Sequence, residues 1–151
     1  MTTTTLPHHE FRAHRTLNVL LWIGQLTLAF AFVLAGATKA TTPWDDLAST
    51  MSWVRDAPMW LPRVIGAAEL VGVAGLIVPA LTRVHPILTA CASASLAVVV
   101  ALAVAMHLYR GEISHVALPA VLCIVAVLVA WGRFSAAGRI QDSNDLHASG
   151  A

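Results

Sequence analysis

Four runs dominated by apolar residues, Leu17 to Thr38, Val64 to Leu81, Pro86 to Leu108 and Val116 to Gly132, alternate with polar stretches along the chain. At a rise of about 1.5 Å per residue, helices of roughly 17 to 23 residues span a hydrocarbon layer of roughly 30 Å, some with tilt or local thinning. The pattern predicts four membrane-spanning helices. Within the runs, Asp, Glu, Lys and Arg occur at a single position, Glu69. A carboxylate there costs on the order of 2 to 3 kcal/mol, so it is expected to face the bundle interior and either find a partner or stay protonated. Glu69 is therefore the first candidate functional residue.

Between the first two runs, the segment from Lys39 to Arg63 carries its own pattern. Thr42-Pro43-Trp44-Asp45 reads as an N-cap, a proline at the first helical position and an acid at the third. Trp44, Leu47, Met51 and Val54 then recur at helical spacing, which predicts a short amphipathic helix at the membrane surface, ended by Asp56-Ala57-Pro58. Trp44, Trp53 and Trp60 gather on this side and Trp22 and Trp131 approach the other, as in two aromatic belts. The predicted architecture is an all-α integral membrane four-helix bundle, residues 17–134, with this interfacial helix between the first and second spans. Polar tails, 1–16 and 135–151, are expected to be disordered.

Each span offers an inward face. On the first, Asn18, Gln25, Phe32, Gly36 and Lys39 form one stripe. On the second, Gly66, Glu69, Gly72 and Gly75 recur every third residue, small residues that permit close helix contact. On the third, Thr89, Ser93, Val100 and His107 align, and Ser and Thr in such helices commonly bond their own backbone. Antiparallel connectivity gathers Lys39, Arg63, Glu69, His107, Tyr109, Arg110, Glu112 and His115 on one side of the membrane. Glu69 lies roughly 7 to 8 Å along its helix axis from the start, within reach of the Lys39 stem. The geometry predicts a Lys39–Glu69 pair, or a cluster of both with His107. An ion pair that only fixes helix register is the structural alternative.

Composition narrows the classes further. Hydrophobic residues make up 58% of the chain and charged residues 11%, and mean hydropathy is +0.74, which excludes an ordinary soluble domain. A net charge of +1 without a basic cluster gives no nucleic-acid partner. Arg12 and Arg15 precede an apolar stretch ending in Ala35-Gly36-Ala37, but the stretch exceeds a signal-peptide core, so the segment is expected to be retained. Arg12, Arg15, Arg83, Arg133 and Arg139 fall on the terminal side against Lys39, Arg55, Arg63 and Arg110 opposite, a thin bias that places both termini in the cytoplasm.

Motifs for phosphate binding, serine hydrolysis or Cys-x-x-Cys redox chemistry are absent. Cys91 and Cys123 differ in depth by roughly 15 Å, too far for a disulfide, and are expected to be inert core thiols. His107, Glu112 and His115 approach one another at the surface, but loop histidines are common and no metal site is assigned. His8, His9, His14 and His147 are expected to be solvated.

Ala-Gly-Ala-Thr-Lys at 35–39, Ile-Gly-Ala-Ala-Glu-Leu-Val-Gly-Val-Ala-Gly-Leu at 65–76, Ala-Met-His-Leu-Tyr-Arg-Gly-Glu at 105–112 and Trp-Gly-Arg at 131–133 together resemble the DoxX-like family of small bacterial four-helix membrane proteins. The resemblance implies a location in the bacterial inner membrane. It maps the family's typical Lys, Glu and His positions onto Lys39, Glu69 and His107. Relatives are implicated in quinone-linked oxidases and in membrane redox and thiol homeostasis, which implies a quinone as cofactor and membrane redox enzymes as partners. Gln25 on the first inward stripe and Arg63 and Tyr109 on the shared side are the candidate cofactor contacts.

Three function classes follow. The first is an accessory or component of a quinone-linked or thiol-linked redox system. The second is an intramembrane enzyme or binder for a small hydrophobic ligand, with Glu69 as acid or base. The third is a structural or assembly protein, for which a homo-oligomer is open. A transporter fits poorly, because four spans without a detectable repeat leave little room for alternating access.

Overall fold

The computed structural model describes residues 8–82 and 85–149. Helix α1 runs His8–Thr41, α2 Trp44–Thr50, α3 Trp60–Thr82, α4 Pro86–Tyr109 and α5 Ala117–Ser149, with 3-10 turns at Ser52–Asp56 and Ile113–His115. Four of these, α1, α3, α4 and α5, contain stretches long and apolar enough to cross a membrane. They form an antiparallel bundle in which α1 packs on α3, α3 on α4, α4 on α5 and α5 back on α1. Leu28, Phe32, Leu76, Leu96, Val100 and Val129 make its core. Apolar side chains such as Phe30, Val71, Leu102, Leu118 and Ile124 cover the outside, the inside-and-outside apolar pattern that suits a bilayer.

The outer helices run further than their apolar runs. α1 begins at His8 and α5 continues to Ser149, so helix occupies most of the segments expected as tails. No proline interrupts either extension, and once a span is nucleated each further residue adds a backbone bond at little cost. Residues 1–7, 150–151 and Arg83 lie outside the described residues, as do the side chains of His8, His9, His14 and His147.

The expected amphipathic helix differs in two ways. Its N-cap is Pro43, not Thr42, and no side chain caps it; the Leu47 N–H instead donates to the Pro43 carbonyl at 3.0 Å. The single expected helix also breaks at Met51, whose extended backbone (φ −118°, ψ 99°) separates α2 from the 3-10 turn. Leu47, Ala48 and Val54 still converge into a small core flanked by Trp44, Met51 and Trp53. The apolar spacing survives because a 3-10 turn after the break returns Val54 to the same side.

Small residues set the closest approach. A Cβ on Gly36 would lie 2.9 Å from the Gly66 carbonyl oxygen, and one on Gly66 would lie 2.7 Å from that of Gly36. The two backbones touch at a point that only glycine on both helices allows. Ser93 departs from the expectation of self-bonding: its Oγ donates to the Ala126 carbonyl of α5 at 2.8 Å, since its place on the buried stripe faces that helix. Cys91 is exposed on the apolar flank rather than in the core, while Cys123 is half-buried and both thiols are free.

Candidate functional site

Lys39 enters the bundle from the last turn of α1 and Glu69 from the first half of α3. The contact of Gly36 with Gly66 lets the two helices close, and the absent Gly66 side chain leaves space for the lysine stem: a Cβ there would lie 2.9 Å from Lys39 Cβ. The Lys39 Nζ reaches both Glu69 oxygens at 2.8 Å. Both side chains are nearly removed from solvent, at 12% and 6% exposure. Arg63, one turn along α3, donates Nη1 to the Lys39 carbonyl at 2.6 Å and Nη2 to the Thr42 carbonyl at 2.5 Å. It therefore closes the end of α1, where unpaired carbonyls and the helix dipole favour a cation. Arg63 positions the Lys39 backbone rather than sharing the carboxylate.

Glu69 also forms part of the wall of a cavity of about 130 Å³. The remaining wall is apolar, with Ala31, Phe32 and Ala35 from α1, Val99 and Ala103 from α4, and Leu118 and Leu122 from α5. The cavity lies loop-side of the contact between α1 and α5. Toward the chain termini they touch, since a Cβ on Gly24 would meet Val129 and one on Gly132 would meet Leu21. Toward the loop side, Ala31 and Ala35 face Leu118 and Leu122 across the cavity. Leu118 is largely exposed on the flank of the bundle.

His107 does not join this pair. Gly111, with φ +70°, ends α4 in a turn where the Glu112 N–H donates to the His107 carbonyl at 2.9 Å and the Gly111 N–H to that of Leu108 at 3.1 Å. This Schellman geometry folds Glu112 back over the helix end, and His107 Nδ1 lies 2.8 Å from Glu112 Oε2. His115 stacks on the His107 ring at 5.7 Å. Glu112 also accepts from Ser52 Oγ at 2.6 Å and Arg110 Nε at 2.9 Å, and Arg110 Nη1 reaches Asp56 at 2.5 Å. The bonds from Ser52, Arg110 and His107 hold the Glu112 carboxyl down to about 2, and Asp56 with Glu112 raises the Arg110 guanidinium above its ordinary value. This network ties the 3-10 turn after α2 to the loop after α4. No group of three or more His, Cys, Asp or Glu able to hold a metal occurs among the described residues. Tyr109, 90% exposed, points away from the bundle.

The model of the DoxX-like family matches residues 23–129, which take in Lys39, Glu69 and His107. The chain belongs to the DoxX-like family. Comparison with curated proteins and with solved structures gave no significant match.

At the opposite end of this DoxX-like bundle lies a second polar cluster. Gln25 is fully buried, and its Nε2 donates to the Leu76 carbonyl of α3 at 2.9 Å. Its Oε1 accepts from Arg133 Nε at 2.8 Å and also from Arg133 Nη2. Arg133 Nη1 reaches Asn18 Oδ1 at 3.2 Å, and its guanidinium carbon lies 5.5 Å from the Trp22 ring centre. Gln25 thus stands apart from Glu69 with both ends of its amide engaged. Arg133 escapes a reading by hydropathy because it follows the last apolar run; the signal that finds it is the polar stripe of Asn18 and Gln25, which needs a donor opposite.

Proposed function

We propose that this multi-pass membrane protein is a component of, or accessory to, a quinone-linked or thiol-linked membrane redox system, and that it seats the head group of a small lipid-soluble molecule against Glu69. One observation carries the reading: the carboxylate, held by Lys39, is the charged group in an otherwise apolar cavity on the flank of the bundle. A site with few polar groups in an apolar wall is the usual form of a small-molecule pocket. Its volume of about 130 Å³ suits a ring or other compact head, with an attached chain left among the lipid tails.

The chemistry available is hydrogen bonding and proton transfer. Glu69 accepts from a hydroxyl such as the reduced form of a quinone head presents, while Lys39, which does not line the cavity, holds the carboxylate in place. Arg63 and the Gly36–Gly66 contact hold the pair in place, and electrons pass to a partner enzyme. The same arrangement supports an intramembrane binder or enzyme using Glu69 as acid or base. A purely structural role is favoured by one fact, that both carboxylate oxygens are already engaged by a single ammonium.

Mass spectrometry of lipid-soluble molecules co-purified with the parent and with Glu69→Gln decides between them. The expected result is a hydrophobic ligand retained by the parent and lost from a folded Glu69→Gln variant. Equal retention by both would make Glu69 a helix-packing residue, and absence of any ligand from the parent would favour the structural reading.

A further inference from the structure

Arg133 carries a positive charge that its neighbours bond without neutralising. The oxygens it meets, on Gln25 and Asn18, belong to neutral amides, and among the described residues no carboxylate pairs with it. Three other arginines meet negative charge. Arg110 pairs with Asp56 and Glu112, while Arg63 and Arg55 donate to backbone carbonyls at the C-terminal ends of α1 and α2, where the helix dipole supplies negative charge.

The depth of Arg133 follows from the helix register. Ser93 of α4 meets Ala126 of α5. In antiparallel helices, moving the same distance along α5 and back along α4 sets Arg133 level with Pro86, the first residue of α4. Trp22 beside it and exposed Trp131 two residues earlier on α5 mark the same level, the depth of an aromatic belt. Asn18 is exposed and Arg133 is partly so, which leaves the guanidinium reachable from the bilayer between α1 and α5. Its bonds to Gln25 and Asn18 fix the orientation of the planar fork and leave N–H groups over, and a fork of this kind matches phosphate oxygens pairwise.

We propose that Arg133, framed by Asn18 and Trp22, is a binding site for the phosphate of an anionic membrane phospholipid. The site is independent of the Glu69 cavity. It would give the bundle a fixed lipid at its terminal side and a preference for anionic over zwitterionic membranes.

The test uses the full chain in neutral detergent, mixed with equal amounts of phosphatidylglycerol and phosphatidylcholine, with bound lipid counted by native mass spectrometry. The parent is expected to retain phosphatidylglycerol about fivefold over phosphatidylcholine, the factor that one interfacial cation of about 1 kcal/mol provides. Arg133→Gln is expected to bring the ratio near unity. Asn18→Asp, which keeps the arginine and the side-chain shape but supplies an internal carboxylate, is expected to do the same, and it decides the matter if Arg133→Gln fails to fold. Inorganic phosphate in excess is expected to leave the lipid bound. A parent without preference, an Asn18→Asp variant that keeps the parent's ratio, or displacement of the lipid by inorganic phosphate would each overturn the proposal.

Discussion

The bundle handles charge in two ways at its two ends. On the loop side, Lys39 and Glu69 neutralise each other in a nearly dry setting beside a cavity. On the terminal side, Arg133 rests on the amides of Gln25 and Asn18 at the level of the helix ends. Depth accounts for the difference. An isolated charge well inside a span costs several kcal/mol and demands an opposite charge, whereas a guanidinium near the interface keeps part of its solvation and is adequately held by neutral acceptors. The first site is closed electrostatically and can offer a carboxylate to a neutral ligand; the second remains open to an anion.

The contrast is broken most forcefully by Lys39→Met. Removing one member of a buried pair leaves an uncompensated carboxylate, a loss of about 3 to 5 kcal/mol, read as a lower midpoint of unfolding in a denaturing-detergent titration. Glu69→Gln retains shape and a hydrogen-bonding amide and is expected to lose less than Lys39→Met. Equal losses would mean that the charge itself contributes little. On the terminal side, Gln25→Leu deprives Arg133 of its principal acceptor and is expected to cost about 2 kcal/mol, the range for a hydrogen bond to a charged group. A loss in the same titration as large as that of Lys39→Met would show that depth does not separate the two sites.

How far each site can be read from the sequence follows from the same contrast. The spans, the inward stripe from Gln25 to Lys39, whose expected first member Asn18 is exposed instead, and the glycine-lined face around Glu69 are written as periodicity, so the Lys39–Glu69 pair is legible in the sequence. Three features are not. His107 is drawn to Glu112 by the turn at Gly111, whose positive φ is a tertiary outcome that helix spacing does not carry. Arg133 lies beyond the last apolar run, where a hydropathy pattern treats it as loop, although its long side chain reaches back to Gln25. The cavity is lined by residues from four helices, α1, α3, α4 and α5, so no single run of sequence carries it.

A smaller effect is expected where the helices touch. Gly36→Ala places a methyl group 2.9 Å from the Gly66 carbonyl oxygen, and overpacking of this kind costs about 1 to 3 kcal/mol. Alanine also gains up to about 1 kcal/mol of helix propensity over glycine, so a net loss of about 1 kcal/mol is expected. The more telling measurement is the distance between spin labels at Leu34 and Ala68, which should lengthen as α1 and α3 separate. An unchanged distance with full stability would show that the glycine contact does not hold the Lys39–Glu69 pair in place.

The smallest effect lies outside the membrane, at Glu112. Its carboxyl, lowered from 4.5 to about 2 by Ser52, Arg110 and His107, binds the loop after α2 to the loop after α4. Because the folded value lies below the unfolded one, the contribution of this carboxylate is complete above about pH 5 and is lost as pH falls from there toward 2. The group is partly exposed, at the surface of the loop, so solvent screens much of the effect. Global unfolding is therefore not the readout. Fluorescent labels at Thr50 and Ser114 are expected to move apart over that pH window while helicity is unchanged, and Glu112→Gln is expected to show the separated state already at neutral pH. Labels that stay together in the acid and in the variant would mean that packing of Leu47 and Val54, and not the carboxylate network, holds the loops.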